Sequence, residues 1–289
     1  MRRLVLIILA LATLLPSLAQ AHDVLVLQSR RAPAYEELLK TFRIGQSHSQ
    51  RLIVLSDYDE IDIVRIVREV PPRLIVAIGD SAVAATRAIR TIPVLAVMSL
   101  ATDGAAAQRP NLTGISMFAP PQSYLALFKE MNLRTVGIIY TSARSGAYLR
   151  QAREAARQSG IELVAREVAS PHDVTRQLQS LAGKVDALWM LPDSGAITRE
   201  TSEAFFRFGQ DNRVPVISFS GTYLGLGASA VIEIDTPSLG QQAASLAEEL
   251  LSRTATMIPP VAPPMKISSK KNVTLLRNLN LLFTGDKDR

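Results

Sequence analysis

Two pairs of residues in this chain could do chemistry, and they stand at matched places. Asp80-Ser81 and Asp193-Ser194 are the same dipeptide, and each closely follows an apolar run. Upstream of each lies a second matched stretch: Ser29 to Tyr35 and Ser142 to Tyr148 share the pattern S-x-R-x-x-A-Y. All matched positions keep one offset, so a similar βα unit is expected twice, in two like halves. A carboxylate beside a hydroxyl has three chemical uses. It can pair with a ligand ammonium through a charge-assisted hydrogen bond. Its serine, at a helix start, can help hold a ligand carboxylate. Or the serine can act as a nucleophile, which needs a histidine base. The three histidines are His22, His48 and His172, none in the last third of the chain, which leaves the nucleophile reading the weakest. The plainer use of each Asp or Ser is to cap a helix or loop.

Composition narrows the classes further. The chain has no Cys, so disulfides, thiolate metal sites and a lipid-modified Cys are excluded. Three well-separated His offer no ligand spacing, so no metal and no cofactor is expected. Gly225-Leu226-Gly227-Ala228-Ser229-Ala230 imitates a dinucleotide fingerprint, but a strand and not a helix follows it. The net charge of +6 is mild and scattered, which disfavours nucleic acid as a partner. Met1-Arg2-Arg3, the apolar run 4–15 and Ala19-Gln20-Ala21 read as a cleaved export signal, 1–21, with cleavage after Ala21. The expected product is periplasmic, and 47% hydrophobic residues can supply its core.

The elements that would carry these residues alternate. Strands are expected over 23–28, 51–55, 74–78, 94–97 and 111–117, with helices over 35–44, 61–70 and 81–90. The pattern then restarts: helices over 120–131, 148–159, 171–181 and 197–210, strands over 136–140, 161–168, 185–191 and 214–219. A tail adds a strand over 230–234, a helix over 238–252, a Pro-rich extended stretch 257–264, a strand over 265–268 and a helix over 271–279. Continuous rather than alternating apolar strands imply burial on both faces, as in parallel sheets. The expected fold class is α/β, two doubly wound parallel-sheet lobes with a hinge and an interlobe cleft. The expected division is 22–117 plus about 232–258 for one lobe, and 118–231 plus about 259–289 for the other.

In such sheets ligands sit outside the carboxyl ends of the strands. Ser29, Asp80, Ser81, Ser142, Ser145, Asp193 and Ser194 all fall there and are the polar candidates. Asp193 is the expected ammonium partner, while Asp80 leans towards capping. Tyr35 and Tyr148 are read as first-turn helix residues, with Tyr148 a candidate cleft wall. Met98 and Phe219, each near a strand end, are candidate apolar walls. Arg31 and Arg144 are read as solvated, and Trp189 as core.

The second half resembles a known family. Asn111-Leu112-Thr113-Gly114-Ile115-Ser116, Val136 to Tyr140, Gly160 to Leu163, Val185 to Ser194, Val214 to Ile217 and Leu239 to Ala244 are similar, in order and spacing, to segments of ABC-transporter substrate-binding proteins of the tryptophan- and tyrosine-binding type. The resemblance implies a type I periplasmic-binding fold and no enzyme activity. It also implies a small ligand, an amino acid or similar zwitterion, delivered to an ABC permease in the inner membrane by a monomer. The family's Asp-Pro after the fourth strand is missing from Ser99 to Gly104, and Ser268-Ser269 stands where its Asn would be. The first lobe is short between Leu55 and Ile61. Those departures leave a second reading open, a periplasmic sensor or partner-binding module that has lost transport. Ile78-Gly79-Asp80-Ser81 also resembles the nucleophile block of GDSL-type serine hydrolases, but it stands on the third strand and lacks the late histidine.

Overall fold

The computed structural model describes residues 22–102, 109–252 and 259–281; the expected export signal lies outside the described residues. The first half builds one sheet from β1 (Val24–Gln28), β2 (Gln50–Val54), β3 (Leu74–Ile78), β4 (Val94–Val97) and β5 (Leu112–Ile115). The second half builds another from β6 (Thr135–Tyr140), β7 (Glu162–Glu167), β8 (Ala187–Trp189), β9 (Val216–Ser218) and β10 (Ala230–Ile234). Two late strands complete them, β11 (Val261–Ala262) and β12 (Ile267–Lys271). The orders are β11-β5-β4-β3-β1-β2 and β12-β10-β9-β8-β6-β7. Every pairing is parallel except β12, which runs antiparallel to β10. The α/β class with two parallel-dominated lobes is therefore as expected.

The apolar runs explain the layering. β1, β3 and β4 are buried along their whole length, so each needs cover on both faces. On one face of the first sheet lie α1 (Pro33–Ile44) and α8 (Thr236–Ser252), sharing a core with Val26, Val76 and Leu95. On the other lie α2 (Ile63–Glu69) and α3 (Asp80–Ala85), packed on Leu25, Ile75 and Ala96. The second sheet is covered by α4 (Pro121–Glu130) and α5 (Ser142–Ser159) on one side. On its other side lie α6 (Val174–Gln179) and α7 (Arg199–Asn212), with Phe205, Phe206 and Phe208 inside. Trp189 is fully buried against Tyr124, Phe128 and Tyr148, a core residue as read. The last helix, α9 (Val273–Asn278), adds Leu276 to the same core.

The tail crosses between sheets: β10 belongs to the second sheet through Ile234, and β11 to the first through Ala262. β11 is the strand the sequence hides. Pro259, Pro260, Pro263 and Pro264 disguise it, yet an edge strand tolerates Pro because half its N–H groups need no partner. Gly114 N and Ser116 N donate to Pro260 O and Ala262 O, at 3.0 and 2.8 Å. Lys271, where the last helix was expected to begin, belongs with Lys270 to β12, and the two pair with Glu130 and Glu233 respectively.

Candidate functional site

Each sheet reverses its winding at one place. In the first, the chain runs from β1 outward to β2, then returns to β3 on the other side of β1. In the second, β6, β7 and β8 repeat the move. The crevice at such a switch point is where doubly wound sheets bind ligands. Ser29 and Asp80 follow β1 and β3, and Ser142 and Asp193 lie just past β6 and β8, so all four flank the two crevices.

Within the first lobe, β1 and β3 are tied together by Ser29. Its hydroxyl donates to Ile78 O and accepts from Ala82 N, both at 2.9 Å, which caps α3. Gly79 makes the turn at φ 87°, and a Cβ there would lie 2.5 Å from the Tyr35 hydroxyl and 2.7 Å from Ser29 Oγ. That turn delivers Asp80 to the first position of α3, exposed to solvent. Its Oδ1 accepts from Ser99 Oγ at 2.6 Å and Ala101 N at 3.2 Å. Its Oδ2 has no partner among the described residues. The expected capping role is absent, since the N-cap of α3 is Gly79. Burial holds the Tyr35 hydroxyl above its ordinary pKa, with Arg30 lowering it and Asp80 raising it. Ser81 is exposed beside Asp80, and Met98, at φ 51°, is half-buried against the α1–α8 core.

The second lobe uses the matched residues differently. Asp193 is 1% exposed. Its Oδ2 accepts from Thr141 N at 2.7 Å and from Ser145 Oγ. Its Oδ1 accepts from Thr141 Oγ1 at 2.8 Å and Gly195 N at 2.9 Å. The carboxylate is a clamp between the ends of β6 and β8: where an ammonium contact was expected, both oxygens accept from donors of their own lobe. Ser145 is fully buried in that clamp. Tyr148 is not in a first turn, because α5 begins at Ser142, about one turn earlier than its sequence counterpart, where Pro33 fixes the start of α1. Its ring stacks on Phe118 at 4.5 Å, and its hydroxyl donates to Ala119 O at 2.7 Å. Burial puts that hydroxyl well above its ordinary pKa. Ser142 and Ser194 remain exposed. Phe219 is half-buried, edge-on to Tyr223 at 5.3 Å.

The polar partners of Asp80 and of Asp193 thus all lie inside their own lobes. What the lobes share is a groove of about 580 Å³, lined by Ser116 and Val261 beside the first sheet and by Ser142, Arg144, Tyr148 and Arg150 of α5. Of the predicted residues only Ser142 and Tyr148 reach it. A second cavity, about 380 Å³ between α6 and α7, is lined by none of them. Sequence reading missed Thr141 and Ser99 because hydroxyls next to strand ends carry no signal of what they bond. Among the described residues no helix is long and apolar enough to cross a membrane, and no group of three metal-ligating side chains occurs.

A family model described as ABC transporter substrate binding protein matches residues 54–279. The tyrosine-binding protein of Clostridioides difficile (strain R20291) is 27% identical over 145 residues, 49% of this chain and 41% of that protein, so the match spans less than half of the relative's length. The structure of an ABC domain in complex with L-Trp from Streptococcus pneumonia superposes with a TM-score of 0.65 at 20% identity, covering 90% of this chain and 96% of that one. A ligand-free, open substrate-binding protein with adhesive properties from Clostridium difficile gives 0.68 at 19% identity, over 92% and 97%. These two likenesses are of fold.

Proposed function

The chain belongs to the ABC transporter substrate-binding protein family, and we propose that it closes two lobes on a small amino-acid-like solute outside the cytoplasm and hands it to a membrane permease. The observation that carries this is the pair of switch-point crevices, one of which exposes Asp80 with a carboxylate oxygen that has no partner among the described residues. A carboxylate there suits a ligand ammonium. Asp80, Ser81, Met98, Ser142, Ser194 and Phe219 remain as wall residues, with Tyr35 beside Asp80. The names of the relatives make aromatic amino acids the first probes. Binding is expected to raise the melting temperature with ligand concentration, as mass action requires. Isothermal titration over an L-amino-acid panel tests the reading, with Asp80→Asn expected to weaken the best ligand about tenfold. No heat and no melting shift for any member would sink it.

The short α2 and α3 of the first lobe favour keeping the sensor reading as the second. Uptake of the labelled solute by cells lacking this protein separates the two: unchanged uptake supports sensing. In either reading the role is binding and not turnover, in keeping with the family.

A further inference from the structure

We propose that the groove between the lobes is an anion seat, in which Arg144 pairs with a carboxylate of the bound solute and Arg150 supports it. The inference rests on the solute-binding reading above and assigns the charge of one end of the ligand. Among the described residues, the groove's lining contains two arginines and no acidic residue. A concave surface of one sign focuses its field on an incoming counter-charge, and a guanidinium matches a carboxylate with two parallel hydrogen bonds.

The internal repeat supplies an independent comparison. Arg31 and Arg144 occupy the same place in the matched motif. Arg31 is neutralised within its lobe: Nη2 lies 2.7 Å from Asp57 Oδ2, and Nε lies 3.3 Å from Oδ1. Asp57 comes just after β2, the neighbour of β1. The corresponding stretch after β7 is Val168-Ala169-Ser170-Pro171, which holds no acid. The next acid, Asp173, is already bound to Arg176 at 2.6 Å. Among the described residues Arg144 therefore has no ion pair and no side-chain hydrogen bond, although it lines the groove. One lobe has satisfied its matched cation and the other has left it facing an interlobe space. The Ser142 hydroxyl, exposed in the same groove, adds a neutral donor. The Tyr148 hydroxyl does not, since it is spent on Ala119 O.

A carboxylate can come from an amino acid or from an organic acid, and three related probes separate these. L-Tyrosine, its amine tyramine and its deaminated acid phloretate would be titrated into the full exported chain, with L-leucine, isoamylamine and isocaproate in parallel. At least one carboxylate-bearing probe is expected to bind, and Arg144→Gln to weaken it about tenfold or more, leaving any amine probe unaffected. Binding of the free acids alone assigns an organic acid; binding of the amino acids alone assigns a zwitterion. Arg153→Gln, on an exposed position of the same helix outside the groove, is expected to change nothing. Unchanged carboxylate affinity in Arg144→Gln, or an equal loss in Arg153→Gln, overturns the proposal. Tight binding of amines with no binding of any carboxylate overturns it while sparing the solute-binding reading. No binding of any probe, amino acids of the wider panel included, removes both.

Discussion

Replacing Asp193 by Asn would discriminate between a clamp and a ligand contact. The substitution keeps shape and volume but turns one carboxylate oxygen into an NH₂ group. One oxygen faces the backbone N–H of Thr141 at 2.7 Å and the other the backbone N–H of Gly195 at 2.9 Å. Hydroxyls such as Thr141 Oγ1 and Ser145 Oγ can rotate and accept instead; backbone N–H groups cannot. Whichever way the amide is flipped, its NH₂ meets a buried N–H. One buried donor without an acceptor costs about 1–3 kcal/mol, and the remaining bonds lose their charge-assisted strength, so the total is about 2–4 kcal/mol. At roughly 2–4 °C per kcal/mol for a chain of this size, the ligand-free melting temperature should fall by roughly 4–16 °C. Calorimetry of the ligand-free protein measures it, with titration of the best ligand at a temperature where both forms are folded. Affinity should change only a few-fold. An unchanged melting point combined with lost affinity for ammonium-bearing ligands would refute the clamp and restore Asp193 as a ligand contact.

Three further perturbations test other joints. A Cβ on Gly240 would lie 1.9 Å from Thr41 Oγ1 and 2.6 Å from Leu38 O, so Gly240→Ala must push α8 off α1; about 1–3 kcal/mol should be lost in urea unfolding, and no loss would mean the helices are not so closely seated. Gln242 donates to Pro263 O at 2.8 Å and accepts from Met265 N at 3.0 Å, tying α8 to the stretch between β11 and β12; Gln242→Leu strips both bonds and should cost about 2 kcal/mol by the same assay, against no change if the stretch is held elsewhere. Burial raises the pKa of the Tyr124 and Tyr148 hydroxyls above 10.0. Their contribution is thus complete below about pH 10 and is lost as pH rises toward their folded values, at about 1.4 kcal/mol per pH unit for each. In an ultraviolet titration Tyr124 and Tyr148 should ionise only as the protein unfolds; a smooth single titration of all six tyrosines would contradict that.

How far the sequence could be read depended on whether a feature is local. β4 coincides with the expected run 94–97, because an uninterrupted apolar strand buried on both faces has no other reading. The start of α5 was hidden because Ser142 to Ala147 is a weak helix former by type, and its first turns are held instead by the buried Asp193 and Ser145. The helix expected over 171–181 is a short 3₁₀ turn, Pro171–Asp173, followed by α6, and Ser170 makes no side-chain cap bond. By contrast, α7 starts at a capping box in which Thr198 and Thr201 bond reciprocally. Two identical Asp-Ser dipeptides told nothing of which carboxylate would point inward. Gly79 sends the chain straight into α3 and leaves Asp80 in water. After β8 the chain runs through Pro192 and Gly195 before α7 begins at Arg199, and that longer loop folds over its own aspartate.

The matched positions of the two halves have therefore parted company in a correlated way. In the first lobe the aspartate is exposed, with Oδ2 unpartnered among the described residues, and the matched arginine is neutralised by Asp57. In the second the aspartate is buried among donors, and the matched arginine faces the groove. Had both lobes kept the first arrangement, each would have exposed an acid at its own crevice, and bringing the lobes together would have worked against their repulsion. Had both kept the second, two cations would have done the same. On the proposals above, one exposed acid at a crevice of the first lobe and one unpaired cation in the groove would let a solute carrying both charges relieve the desolvation of each as the lobes come together. On this argument the charge pattern itself makes closure conditional on the guest. The Asp80→Asn and Arg144→Gln substitutions should then each weaken the zwitterion, and the double variant should lose less than the sum of the two, because a ligand deprived of one wall no longer draws the lobes fully shut.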